Sequence, residues 1–160
     1  MADAQVSDAC GFCTCGFKSH PPHHAPLMRG FIVRNMKDFK EFVMKVLGKQ
    51  RNSKMCIICG MDNEYGLRAP FYNMEDGSVM TIFKYREQHQ SYPGRVHGGL
   101  IAAMLDEMGL RALWAKELSE DSFGVTMSLE TKYRKPVPYD TELIGRGIIT
   151  KTLGNFFVAE

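Results

Sequence analysis

The sequence predicts an α+β domain in which a curled antiparallel sheet wraps one long central helix. Three observations carry this. His97 to Ala115, HGGLIAAMLDEMGLRALWA, is apolar on nearly every side and long enough to be a helix of roughly 28 Å. Two strand-like segments joined by a turn signal precede it. Alternating or apolar segments broken by Pro and Gly follow it, down to Glu160.

The helix comes first because the rest is arranged about it. Pro93-Gly94 marks a turn ahead of His97-Gly98-Gly99, and Leu100, Ile101, Met104, Leu105, Met108, Leu110, Leu113 and Trp114 run through the segment. Apolar residues all round predict a helix buried by other structure. A membrane span is excluded, because two acids sit in mid-helix and the apolar run between charges is too short. Those acids, Asp106 and Glu107, are the informative residues. A carboxylate in a buried helix costs several kcal/mol unless paired, so it has a partner or a function. Glu107 has Arg111 one turn on, which predicts an ion pair. Asp106 has no basic residue three or four positions away on either side.

The other elements follow from composition and period. Residues 1–34 form a compositional zone of their own, expected to be a flexible tail, that holds three of the five cysteines and three of the five histidines. Cys10, Cys13 and Cys15, with His20, His23 or His24, are spaced so that a metal could be held, but no second well-spaced ligand pair lies in the same zone, which favours incidental residues in a tail. Residues 35–66 are expected to be a helix with a connecting segment. In Asn35 to Gly48, Met36, Phe39, Val43, Val46 and Leu47 fall near helical spacing, with Asn35 as N-cap and Gly48 as stop. Cys56-Ile57-Ile58-Cys59-Gly60 follows. It suits half a zinc site or a redox pair, yet the remaining ligands would have to come from the tail, so structural cysteines and no bound metal or cofactor are expected.

Residues 67–160 are expected to be the main domain. Leu67–Asn73 is a strand, Glu75-Asp76-Gly77 a hairpin turn, and Ser78–Glu87 a second strand with Val79, Thr81, Phe83 and Tyr85 on one face. Phe123–Tyr133 alternates, with Phe123, Val125, Met127, Leu129 and Tyr133 on its apolar face, ending at Pro136 and Pro138. Thr141–Thr152 is a strand, Leu153-Gly154-Asn155 a turn, and Phe156–Glu160 the beginning of another strand. The last residue falls inside an apolar strand, which suggests a fragment short of a C-terminal hairpin.

Composition sets broad limits. The 160 residues suit one domain with an appendage, and 44% hydrophobic with 24% charged residues is ordinary for a globular protein. A net charge of +2 without a basic run or aromatic-basic stripe gives no sign of nucleic-acid binding. The start lacks an apolar leader, and an odd number of cysteines fits reduced thiols, so a cytoplasmic protein without membrane attachment is expected.

Tyr92-Pro93-Gly94-Arg95-Val96-His97-Gly98-Gly99, with Leu105-Asp106-Glu107 beyond it, resembles the hotdog-fold acyl-CoA thioesterases of the PaaI-like group. Cys56-x-x-Cys59-Gly60-x-x-Asn63-x-x-Gly66-Leu67 is similar to the segment before their first strand, and Thr131-x-Tyr133-Arg134-x-Pro136-Val137 to the end of their third. The likeness covers about Cys56 to Glu160. It implies a hotdog fold, hydrolysis of acyl-CoA to free acid and CoA, and a homodimer or homotetramer with composite sites. It also implies Asp106, nine residues after His97, as nucleophile or general base. Gly98 or Gly99 would polarise the thioester carbonyl, and Thr126 would assist. An Asn that many members carry six residues before the histidine is Ser91 here.

Elementary chemistry supports the same assignment. Backbone N–H groups at a helix N-terminus, together with the helix dipole, stabilise the oxyanion formed when a thioester carbonyl is attacked. His97 is either part of that chemistry or a cap on the helix. Gly98 and Asp106 lie eight residues apart, about 12 Å along one helix, so they cannot touch one carbonyl within a chain. Two antiparallel copies across a two-fold axis could bring them together. Lys132, Arg134, Lys135 and Arg146 could meet CoA phosphates or simply face solvent. G-x-S-x-G is absent, which disfavours an α/β-hydrolase. Two other classes compete: a non-catalytic acyl-CoA-binding or regulatory hotdog module, and a metal-binding protein built on the Cys/His tail.

Overall fold

A computed structural model of the chain describes residues 34–35 and 45–160. Cys10, Cys13, Cys15, His20, His23 and His24 lie outside the described residues, as does 36–44 of the expected first helix. Its described ends correct that expectation. Arg34–Asn35 (β1) and Val46–Lys49 (β2) are strands, so Asn35 is not a helix cap and Gly48 is not a helix stop. Tertiary pairing overrides local period here: β2 lies antiparallel to Tyr72–Met74 (β3), with a register shift between Val46 and Gly48.

β3 leads into Val79–Phe83 (β4) through the expected turn, where Gly77 takes φ +76°. Val79, Thr81, Phe83 and Tyr85 are all buried, as their alternation predicts. Gln90–Tyr92 (β5) and Arg95–Val96 (β6) form a small hairpin about Gly94, at φ +80°. The central helix α1 then runs Gly98–Glu117 and ends at Leu118 in the left-handed region. The expected strand Thr141–Thr152 is two elements, Leu143–Gly147 (β7) and Ile149–Leu153 (β8). β7 lies within the main sheet between β1 and β4, and β8 leaves it to pair with Phe156–Ala159 (β9). The main sheet has the order β1-β7-β4-β3-β2, all antiparallel, with α1 packed across it.

Met104, Met108, Ala112 and Ala115 of α1 meet Phe71, Val79, Phe83, Tyr85 and Leu143 in one core. This is the hotdog fold that the sequence predicts. The helix is not buried all round, however: Asp106, Lys116 and Glu117 are exposed. The segment Phe123–Tyr133 is also corrected. Among the described residues no strand pairs with it and it forms no ladder. Phe123, Val125 and Met127, expected to face the core, are 87%, 77% and 58% exposed. Alternation marks which residues share a face but does not supply the neighbour that would cover them.

Candidate functional site

The β5–β6 hairpin delivers the chain to the helix start. The Val96 N–H donates to Val137 O (2.9 Å) and the His97 N–H to His89 O (2.9 Å). The imidazole of His97 then turns back as the N-cap, its Nδ1 accepting the Gly99 N–H at 3.0 Å. A Cβ on Gly99 would sit 3.0–3.1 Å from that ring, so glycine lets the cap close. Of the two expected oxyanion donors, Gly99 is therefore occupied. The Gly98 N–H meets no acceptor among the described residues and stands at the positive end of the helix dipole. The Gly98 carbonyl accepts a hydrogen bond from Tyr133 Oη at 3.0 Å.

Tyr85, expected only as part of a strand's apolar face, and His89, not singled out from the sequence, hold this corner. Tyr85 Oη donates to Leu100 O (3.3 Å), and burial pushes its hydroxyl far above the usual range, with Tyr133 adding to it. His89 is buried, its Nδ1 accepting the Arg86 N–H (2.9 Å) and its Nε2 lying 2.8 Å from Tyr65 O. That pairing assigns the proton to Nε2. A histidine buried without an acid beside it in sequence gives no periodic signal, which is why only the structure reveals it.

Asp106 projects from α1 into a cleft of about 490 Å³ that it lines with Glu107, Leu110 and the stretch Gly124–Leu129, Thr126 included. The structure thus brings Asp106 and Thr126 to one cleft. Asp106 is exposed in the single chain, which corrects the expectation of a buried carboxylate. Gly98 and His97 do not line the cleft. A second cavity of about 570 Å³, lined by Leu110, Leu113, Val125, Met127, Phe156 and Phe157 among others, adjoins it along Gly124–Ser128.

Glu107 is engaged as its spacing predicts. Its Oε1 accepts Arg111 Nη2 (2.8 Å) and Nε (2.9 Å). Arg111 is buried, lies over the rings of Phe71 and Trp114 (4.6 and 4.7 Å), and donates to Arg51 O (2.8 Å). Of the four cations weighed for CoA phosphates, Arg146 pairs with Asp76 and Lys132 with Glu130, while Arg134 and Lys135 are exposed. Ser91 is exposed in β5.

Residues 93–160, the segment carrying the helix, Asp106 and Thr126, match the family model of the Thioesterase superfamily. The crystal structure of a thioesterase superfamily protein superposes with a TM-score of 0.55 at 26% identity, over 65% of this chain and 49% of that one. The chain thus spans about half the length of that solved protein. No curated protein matches it. The chain has the fold of the thioesterase, or hotdog, superfamily.

Proposed function

We propose that this protein hydrolyses acyl-CoA thioesters, as enzymes of the PaaI-like group do, in a homodimer or homotetramer with composite sites. The observation that carries this is the pairing of two features on one helix: an open N-H at Gly98 and a solvent-facing carboxylate at Asp106, in the segment that matches the Thioesterase superfamily. The Gly98 N–H would donate to the thioester oxygen and hold the oxyanion as it forms. Asp106, as nucleophile or as general base toward water, would attack the carbonyl carbon or activate the water that does. The carbon–sulfur bond breaks and CoA leaves as a thiol. Thr126 lines the same cleft as Asp106 and would hydrogen-bond the substrate or the attacking water.

The eight-residue offset from Gly98 to Asp106, about 12 Å of helix, requires the two groups to come from different chains. The exposed row Phe123, Val125 and Met127, of which Val125 and Met127 share the Asp106 cleft, supports association, since apolar side chains so placed gain by being covered. A panel of acyl-CoA esters assayed by release of free thiol tests the activity. Asp106→Asn should cut turnover a hundredfold or more while substrate still binds. Retention of more than about a tenth of the wild-type rate would remove Asp106 from the chemistry. Tight acyl-CoA binding with no turnover of any ester by the wild type would instead favour a binding module.

A further inference from the structure

Cys56 and Cys59 meet Glu107 where the loop after β2 packs on α1. The two sulfurs and a carboxylate oxygen all lie within 4.8 Å of one another. Cys56 Sγ is 3.8 Å from Glu107 Oε2, although the residues are 51 apart in sequence. Two sulfurs and an oxygen around a tetrahedral zinc-sized ion would stand about 3.6–3.8 Å apart, given the usual bond lengths.

The loop is a tight knuckle. The N–H groups of Ile58 and Cys59 point at Cys56 Sγ from 3.3 and 3.5 Å, and the Gly60 N–H donates to Cys56 O at 2.9 Å. A Cβ on Gly60 would collide with Cys56 O and N and with Lys54 O, so only glycine closes the turn. Burial, with the Glu107 and Cys59 charges, outweighs the pull of these N–H groups and pushes the Cys56 thiol up while no cation is bound, so the knuckle shapes the site and a cation supplies the charge that draws off the proton. Glu107 is held from behind: Arg111 takes both its bonds to Oε1, which leaves Oε2 turned toward the sulfur. A hydrogen-bonded carboxylate of this kind is how second partners orient a metal ligand.

We propose that Cys56, Cys59 and Glu107 bind a thiophilic divalent cation of the zinc class, with two thiolates and one carboxylate as donors and a fourth position for water. Two sulfur donors select such an ion over magnesium or calcium. Binding releases the two thiol protons to solvent, with no change of oxidation state. Two thiolates, one carboxylate, the Arg111 cation and a divalent ion together carry no net charge, which suits a half-buried position. The C-x-x-C pair lacks ligands only while they are sought in the N-terminal tail; α1 supplies the third. Bound metal would fix the 53–66 loop to the helix one residue beyond Asp106.

The test uses the full chain, stripped of metal under reducing conditions and titrated with cobalt(II), then zinc(II). One cobalt per chain is expected, with sulfur-to-metal charge-transfer absorption and tetrahedral visible bands, both lost when zinc displaces it. Cys56→Ser and Cys59→Ser should each remove about half the charge-transfer intensity and weaken binding more than tenfold, roughly the scale of a lost site contact. Glu107→Gln should keep that intensity and weaken binding. A triple Cys10→Ser, Cys13→Ser, Cys15→Ser chain should bind as the wild type does. In case a variant misfolds, zinc should also protect two thiols of this triple variant from a thiol reagent, and a chelator should expose them. The proposal fails if the triple variant shows no charge-transfer band or no zinc-dependent protection. It fails too if air yields a Cys56–Cys59 disulfide at the same rate with and without zinc.

Discussion

His97 Nδ1 accepts the N–H of Gly99 at 3.0 Å, so the histidine of the H-G-G motif spends its side chain on the helix start and leaves the preceding amide, that of Gly98, open. One contact thereby sorts two candidate donors into different roles. A helix cap of this kind contributes about 1 kcal/mol.

His97→Ala should accordingly lower stability by about 1 kcal/mol, and His97→Asn, which can still cap, should recover most of that. Denaturant midpoints check both. If both variants are as stable as the wild type yet hydrolyse thioesters a hundredfold more slowly, His97 belongs to the chemistry and not to the cap.

Glu107→Gln should weaken the fold more than it weakens turnover. Arg111 would keep its bonds to Arg51 O and its two ring contacts but lose the carboxylate facing its buried charge. Hydrogen bonds to charged groups are worth about 1.5–3 kcal/mol, and a loss of that order is expected on unfolding metal-free protein. A larger effect on rate than on stability would exchange the roles of Asp106 and Glu107.

Asp76 supplies a pH-dependent contribution. Burial pushes its carboxyl up, but hydrogen bonds from Ser78 and the Arg146 guanidinium outweigh it and hold the group below its usual range. A carboxylate lowered on folding stabilises above its unfolded value and ceases to do so as pH falls through the folded one. Asp76→Asn should therefore cost under about 1 kcal/mol at pH 7, since the pair is partly exposed, and the difference from wild type should shrink below about pH 4. A gap that persists unchanged at pH 3 would mean that the carboxylate charge plays no part.

The sequence made some of this legible and hid the rest for physical reasons. The helix, the Gly77 and Gly154 turns and the buried face of β4 were readable because each rests on local chemistry: apolar period, glycine, alternation. The Glu107–Arg111 pair was readable because both residues share one helix face. What failed depended on distant partners. The strand character of Val46–Lys49 comes from β3, and the alternation of Phe123–Tyr133 does not say what covers it. Asp106 was expected to be buried because its neighbours are apolar, yet the helix turns that one position outward. The approach of Cys56 and Cys59 to Glu107 spans 51 residues from Cys56 and has no signature in spacing.

Rescue between two inactive variants tests the shared site most directly. Asp106→Asn removes the carboxylate and Gly98→Pro removes the open N–H. His97 is extended at ψ 128°, which a following proline accepts, and proline suits the first residue of a helix, so Gly98→Pro should fold. Refolded together in equal amounts, about half the dimers should be mixed, and each of these has one of two sites complete. The account predicts recovery of about a quarter of wild-type activity. No recovery in a sample proven to contain mixed dimers, or full turnover by a chain that stays monomeric, would contradict it.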